Sequence, residues 1–251
     1  RVEVPERPQG EKLNYLHVLK EISHNKALLG VMFFSLTGMI GASVVNGLNT
    51  YLYKDFFGNV KIQAVSGMLS VLYAVLSFAI TQPLANKLGK KEWCCMGAGF
   101  AAIVFGILFF FPVHNPVAFI VINGICYLGA SGMQVLIWAM VNDAIDYHEL
   151  QTGERNEGIV YSTYSFIRKL ASAISGSLSN FVLGAIGYNV TAGAVQTAGV
   201  VNASWKSYTG VYFLGYGIAV AILFFVYPLT KQKTAEMLTE LKARRAAKES
   251  K

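Results

Sequence analysis

The chain has 251 residues, 54% of them hydrophobic and only 14% charged, with a mean hydropathy of +0.45 and a formal net charge of +7. That balance excludes an ordinary soluble domain, in which about 25% of residues are charged. The positive charge is spread over membrane-flanking segments with no aromatic-interleaved patch, so it points to anionic lipid and not to nucleic acid.

The chain opens on Arg1 without an initiator Met or signal peptide and reads as a piece of a longer protein. Residues 1–26 form the first predicted unit. Pro5 and Pro8 mark a linker, and Leu13, Leu16, Leu19 and Ile22 then recur every third residue, as in an amphipathic helix lying on a membrane surface. Residues 27–230 follow as a bundle with apolar runs at about 28–51, 64–84, 93–111, 117–141, 158–186 and 210–229. Each is near the roughly 20 residues that a spanning helix needs, so six transmembrane helices are predicted. Residues 231–251 form a basic tail.

The first run carries Ser35, Ser43, Asn46, Asn49, Thr50 and Tyr53. The last four recur at intervals of three, one and three and share one face of a helix. Such a stripe either bonds neighbouring helices or lines an aqueous cavity for a hydroxyl-rich ligand. Cys94, Cys95 and Cys126 show neither disulfide nor metal spacing and read as packing residues, so no metal site is expected. In the fourth run Gly124, Gly129 and Gly132 allow close helix approach, while Gln134 and Trp138, four residues apart, offer an amide and an indole to a sugar.

An acidic loop follows, with Asp143, Asp146, Glu149, Glu154 and Glu157, and leads into the fifth run, which holds Arg168 and Lys169. Counted from Gly158 at roughly 1.5 Å per residue, Lys169 lies about 16 Å deep in a hydrocarbon core about 30 Å thick. A lysine stem reaches about 6 Å, too short to snorkel from there, so a cavity-facing role is expected. Tyr161, Ser165 and Lys169 share a stripe, with Arg168 rotated away from it. All 14 carboxylates lie in loops, tails or at span ends, so the partner of Lys169 must come from a ligand, water or another part of the protein.

Sixteen of the 21 Lys and Arg residues fall in residues 1–26, 85–92, 143–157 and 231–251. The positive-inside rule therefore places both termini in the cytoplasm, for a multi-pass protein of the plasma (inner) membrane.

The order Asp143-x-x-Asp146-Tyr147-x-Glu149, Arg155-x-Glu157-Gly158, Tyr161-Ser162 and Lys169 resembles the signature of the glycoside-pentoside-hexuronide:cation symporters, the melibiose-permease-like family. Residues Pro83 to Lys91 are similar to a facilitator loop, with Asn86 in place of the expected acid. The resemblance implies an all-α membrane protein, the C-terminal half of a major facilitator fold whose N-terminal half supplies most cation-binding carboxylates. It implies uptake of a sugar or glycoside coupled to H⁺ or Na⁺ by alternating access, with no other cofactor. By position, Lys169 matches the family lysine near the cation and sugar sites; Asp143, Asp146 and Arg155 match charged residues that close the cytoplasmic side, with Glu149 beside them. Two other readings are open: an Mg²⁺-dependent intramembrane prenyltransferase, suggested by Asn142-Asp143-x-x-Asp146, which would need a second acidic cluster, and a non-transporting receptor.

Overall fold

A computed structural model describes residues 25–153, 155, 157–191 and 194–249. The linker and surface helix expected before Asn25 lie outside the described residues. The first helix, α1, spans Lys26–Tyr51 and runs on through one π-helical turn, Leu52–Phe56. Asn25 caps its start, accepting from the Leu28 N–H at 3.0 Å while its own amide donates to the Ala144 carbonyl, so one side chain fixes both an entry angle and a tertiary contact. Then come α2 (Val60–Leu88) and α3 (Lys90–Phe110), separated by Gly89, whose φ of 115° suits only glycine.

The fourth predicted run is not one helix. It divides into α4 (Pro116–Ala130), α5 (Gly132–Val135) and α6 (Ile137–Thr152), interrupted at Ser131 and Leu136. Ser131 is the local cause: its Oγ donates back to the Leu128 carbonyl at 2.7 Å and shares a 2.9 Å hydrogen bond with Thr81, an arrangement that bends helices. The remaining helices are α7 (Glu157–Ala185), α8 (Ala198–Phe225) and α9 (Lys231–Glu249).

The six-span expectation is corrected here. Among the described residues, four helices are long and apolar enough to cross a membrane: α1 with its π turn, α2, α3 and α8. The fourth run fails because the Ser131 interruption leaves α4 with 15 residues. In α7 the length of 29 residues suffices, but Ser162, Ser165, Arg168, Lys169 and Ser172 dilute its apolar content. A second difference concerns the acidic loop. Asp143, Asp146 and Glu149 stand on the helix α6, which continues well past the apolar run and ends at Gly153 with φ 77°.

Two apolar cores hold the bundle. One gathers Leu28, Phe34, Met140, Tyr164, Leu223 and Tyr227 around α1, α6, α7 and α8, and the last helix adds Met237 and Leu241. The other surrounds Trp205, which stacks on Phe56 at 4.5 Å and donates its indole N–H to the Leu108 carbonyl at 2.7 Å. Close approach of α3 and α4 depends on Gly97, where an added Cβ would stand 1.8 Å from the Gly129 carbonyl oxygen. Ala171, Ser175 and Ser179 are buried on α7, and Ser179 packs where a Cβ on Gly47 would fall, so this small-residue face serves helix packing. Cys94 and Cys126 are buried and Cys95 half-buried, all three free. Large apolar side chains point outward from α2, α3 and α8, among them Met68, Val71, Ile103, Phe110, Ile218 and Phe224. That is the surface expected of helices solvated by lipid.

Candidate functional site

Three cavities lie in a row along α1. The first, of about 70 Å³, is bounded by Ser35 and Gly38 of α1, Gln134 of α5, Trp138 of α6, and Tyr164 and Arg168 of α7. It shares Gly38, Met133 and Gln134 with the second, of about 90 Å³, which continues past Thr37, Ser131 and Tyr212. The second shares Ala42, Tyr127 and Tyr212 with the third. This largest space, about 490 Å³, is edged by Asn46, Asn49, Ser66, Ser70, Asn123 and Tyr208. The path therefore passes the interruption that distorts the fourth run, the place where irregular backbone is tolerated only if it borders protein or a water-filled cavity.

The predicted polar stripe of α1 divides between both of its readings. Thr50 accepts from Gln63 of α2 at 2.9 Å, and Ser35, on α1 but outside that stripe, bonds Tyr164 at 2.8 Å, both interhelical. Asn46 and Asn49 line the largest cavity, and Tyr53 is fully buried. Gln134 of α5 and Trp138 of α6, which the sequence reading placed on one helix, both border the first cavity.

On α7 the structure distributes the predicted residues differently. Tyr161 donates a hydrogen bond to Asn142, tying α7 to α6. Ser165 and Lys169 are exposed. Arg168, read in the sequence as turned away, enters the first cavity with its guanidinium 5.6 Å from the Trp138 ring and 5.9 Å from that of Tyr164. The only sequence signal for this is the four-residue step from Tyr164 to Arg168, matching that from Gln134 to Trp138.

The charged cluster lies at the end of the bundle where α3, α6 and α9 meet. Asp143, 6% exposed, receives Lys90 Nζ at 2.6 and 2.7 Å, and a cavity of about 160 Å³ beside the pair is bordered by Asn86, Tyr227, Lys231 and Thr234. Burial holds the Asp143 carboxyl above its ordinary value, with Lys90 pulling the other way. Asp146 accepts from Arg155 at 2.7 Å and Arg245 at 3.2 Å, and Glu149 accepts from the same two arginines at 2.8 and 2.5 Å. Arg155 also pairs with Glu157 at the start of α7. The Arg245 hydrogen bond, chiefly, draws the Glu149 carboxyl below its usual range. The predicted tail is thus a helix that closes on α6, anchored further by Arg244 on the Leu150 carbonyl and by Glu92, which accepts the Lys231 N–H at 3.0 Å. Sequence reasoning named the acids and Arg155 but missed Lys90 and Arg245. These lie 53 and 96 or more positions away, and no local pattern marks them.

The sequence matches the MFS/sugar transport protein family over residues 1–231. The chain belongs to that family. It is 31% identical over 244 residues to an uncharacterized symporter, YjmB, of Bacillus subtilis (strain 168), covering 96% of this chain and 52% of that protein. It is similar to the glucuronide carrier protein homolog of Escherichia coli (strain K12), 28% over 229 residues, 90% of this chain and 49% of the relative. To the isoprimeverose transporter of Lactiplantibacillus pentosus it is 30% identical over 230 residues, 91% and 47%. The chain spans about half the length of these curated relatives. Family members and relatives are transporters, so the chain is not an enzyme, and the prenyltransferase alternative falls.

Proposed function

We propose that this chain is the C-terminal half of a secondary active transporter of the glycoside-pentoside-hexuronide:cation type, moving a sugar or glycoside together with H⁺ or Na⁺ by alternating access. The observation that carries the reading is the row of polar-edged cavities along α1, bordered by the interrupted helix. It forms one wall of a path whose other wall is the N-terminal half of the same protein. Asn46, Asn49, Gln134, Trp138, Tyr161, Ser165 and Lys169 belong to the wall that meets substrate or coupling cation, and hydroxyl-rich ligands suit scattered amides and aromatic faces of this kind.

In this proposal both chain ends face the cytoplasm of a plasma (inner) membrane, with residues 1–26 and 231–251 flanking the bundle of residues 27–230. The pairs on Asp143, Asp146 and Glu149 brace the cytoplasmic gate. Exposed ion pairs contribute about 0–1 kcal/mol each, so the gate draws on several together with α9 packing. No cofactor besides the coupling cation takes part. Several relatives bear names of sugar carriers, among them a glucuronide carrier homolog and an isoprimeverose transporter, which supports a sugar or sugar derivative as cargo.

The test is counterflow and gradient-driven uptake in proteoliposomes containing the full-length protein. Accumulation of a labelled glycoside that collapses when the H⁺ or Na⁺ gradient is dissipated is the expected result. Glycoside binding without any gradient-dependent accumulation would instead identify a receptor.

A further inference from the structure

We propose that the end of the bundle where α3 and α9 begin holds one anionic phospholipid of the phosphatidylglycerol type, its phosphate on the ammonium groups of Lys91 and Lys231 and an acyl chain along Met96, Phe100 and Ile103. The site lies on the lipid-facing side of α3 and stands whether or not the transport reading holds.

Five lysines converge there from three helices. Lys87 lies in the last turn of α2, Lys90 and Lys91 open α3, and Lys231 and Lys233 open α9. Main-chain acceptors fix two of them in place: Lys231 Nζ donates to the Lys87 carbonyl at 2.7 Å, and Lys91 Nζ to the Tyr227 carbonyl at 2.6 Å. Each carbonyl takes one of three N–H donors, so both ammonium groups are held with donors left for phosphate oxygens. Lys233 stands near enough to Lys91 for the two charges to repel each other. The carboxylates of the cluster are engaged within it, Asp143 by Lys90 and Glu92 by the Lys231 N–H at 3.0 Å. A phosphate between Lys91 and Lys231 relieves the repulsion that gathering these lysines creates.

Beyond the lysines, α3 turns a continuous apolar face outward. Met96, Phe100, Ile103, Ile107 and Phe110 are all exposed and recur at steps of four, three, four and three, which keeps them on one side of the helix. The opposite side, with Ala98, Ala101 and Phe105, is buried in the bundle. Phe224 and Phe225 of α8 add exposed apolar surface beside Tyr227. Met96 follows Lys91 by five residues, a rise of about 7.5 Å. The headgroup layer on one side of a bilayer is about 5–8 Å thick. With Met96 at the edge of the hydrocarbon, the ammonium groups therefore stand at the level of the lipid phosphates. A free phosphate would meet the lysines but leave the apolar face unused. Phosphatidylethanolamine would bring its own ammonium into a cluster of five lysines, whereas phosphatidylglycerol carries a net negative charge.

The probes are dioleoyl phosphatidylglycerol and dioleoyl phosphatidylethanolamine, added in equal amounts to the delipidated full-length protein in detergent, with retained lipid read by native mass spectrometry. Wild type is expected to retain one phosphatidylglycerol with at least fivefold preference, and K91Q/K231Q to lose most of that preference. K61Q/K206Q removes the same charge at the opposite end of the bundle, where Lys61 starts α2 and Lys206 lies over the Phe109 ring, and is expected to keep it. Equal retention of the two lipids by wild type, or an equal loss of preference in both double variants, overturns the site and leaves only a diffuse attraction of charge. Displacement of the lipid by millimolar inorganic phosphate would give the lysines to a soluble anion and also overturns it. If K91Q/K231Q does not fold, K87Q/K233Q, which alters two exposed side chains of the same cluster, decides: a preference reduced severalfold supports the proposal and an unchanged one overturns it.

Discussion

Lys90, the first residue of α3, places its ammonium 2.6 and 2.7 Å from the two carboxylate oxygens of Asp143, a residue of α6 with 6% of its surface exposed. The pair joins the helix that follows Gly89 to the helix that follows the interrupted fourth run, at one end of the bundle. Loss of either partner leaves a buried or half-buried charge without compensation.

K90Q is expected to lower stability by about 1–3 kcal/mol, less than the ~3–5 kcal/mol of a fully buried pair because the Lys90 side chain keeps 34% of its exposure. The effect depends on pH. With the folded Asp143 pKa raised by burial, the folded state holds a proton that the unfolded chain has released between the two pKa values. The Asp143 contribution therefore favours folding on the acid side and is lost as pH rises through the folded value. K90Q removes the opposing pull of Lys90, so the gap between wild type and variant should widen with rising pH. Thermal unfolding in detergent across pH measures it; a pH-independent gap counts against the assignment.

The contact of α9 with α6 should weaken on acidification. Arg245 and Arg155 hold the Glu149 carboxyl below its unfolded value, so this contribution is present above the ordinary carboxylate pKa and disappears as pH falls through the lowered one. A fluorescence pair on α6 and α9 is expected to separate at low pH in wild type. In E149Q the separation should already be present at neutral pH.

D146N removes an acceptor shared by Arg155 and Arg245. In the full-length transporter it is expected to raise the inward-facing population severalfold, read by the labelling rate of a cavity cysteine from the cytoplasmic side. Unchanged labelling would separate the ion-pair cluster from gating.

Lys169→Ala is expected to abolish gradient-driven uptake by the full-length protein while leaving its membrane level intact. Full accumulation by this variant would remove Lys169 from the transport site.

Gly97→Ala puts a methyl group against the Gly129 carbonyl and should cost about 1–3 kcal/mol through forced separation of α3 and α4. Gly99→Ala is the control, because its Cβ would meet only Val220 at 4.0 Å. Equal melting temperatures for the two variants would refute the close-approach argument.

The sequence alone determined the class of molecule: composition and the long apolar runs of α1, α2, α3 and α8 require a lipid-solvated helical bundle, because hydrophobic length is a local property. It also marked the acids that stand on α6 and a family signature ordered along the chain. It overcounted spans, because Ser131 interrupts the fourth run through its bonds to the Leu128 carbonyl and to Thr81, and because serines, Arg168 and Lys169 dilute the apolar content of the fifth. Tertiary structure alone decided which cation meets which group. Lys90 and Arg245 reach the acids of α6 only because α3 and α9 pack at that end, and Arg168 rather than Lys169 enters the first cavity. Adjacent residues on a helix differ by about 100° in direction, so the site a charge occupies depends on how α7 is rotated against α1, a packing outcome that no local pattern encodes.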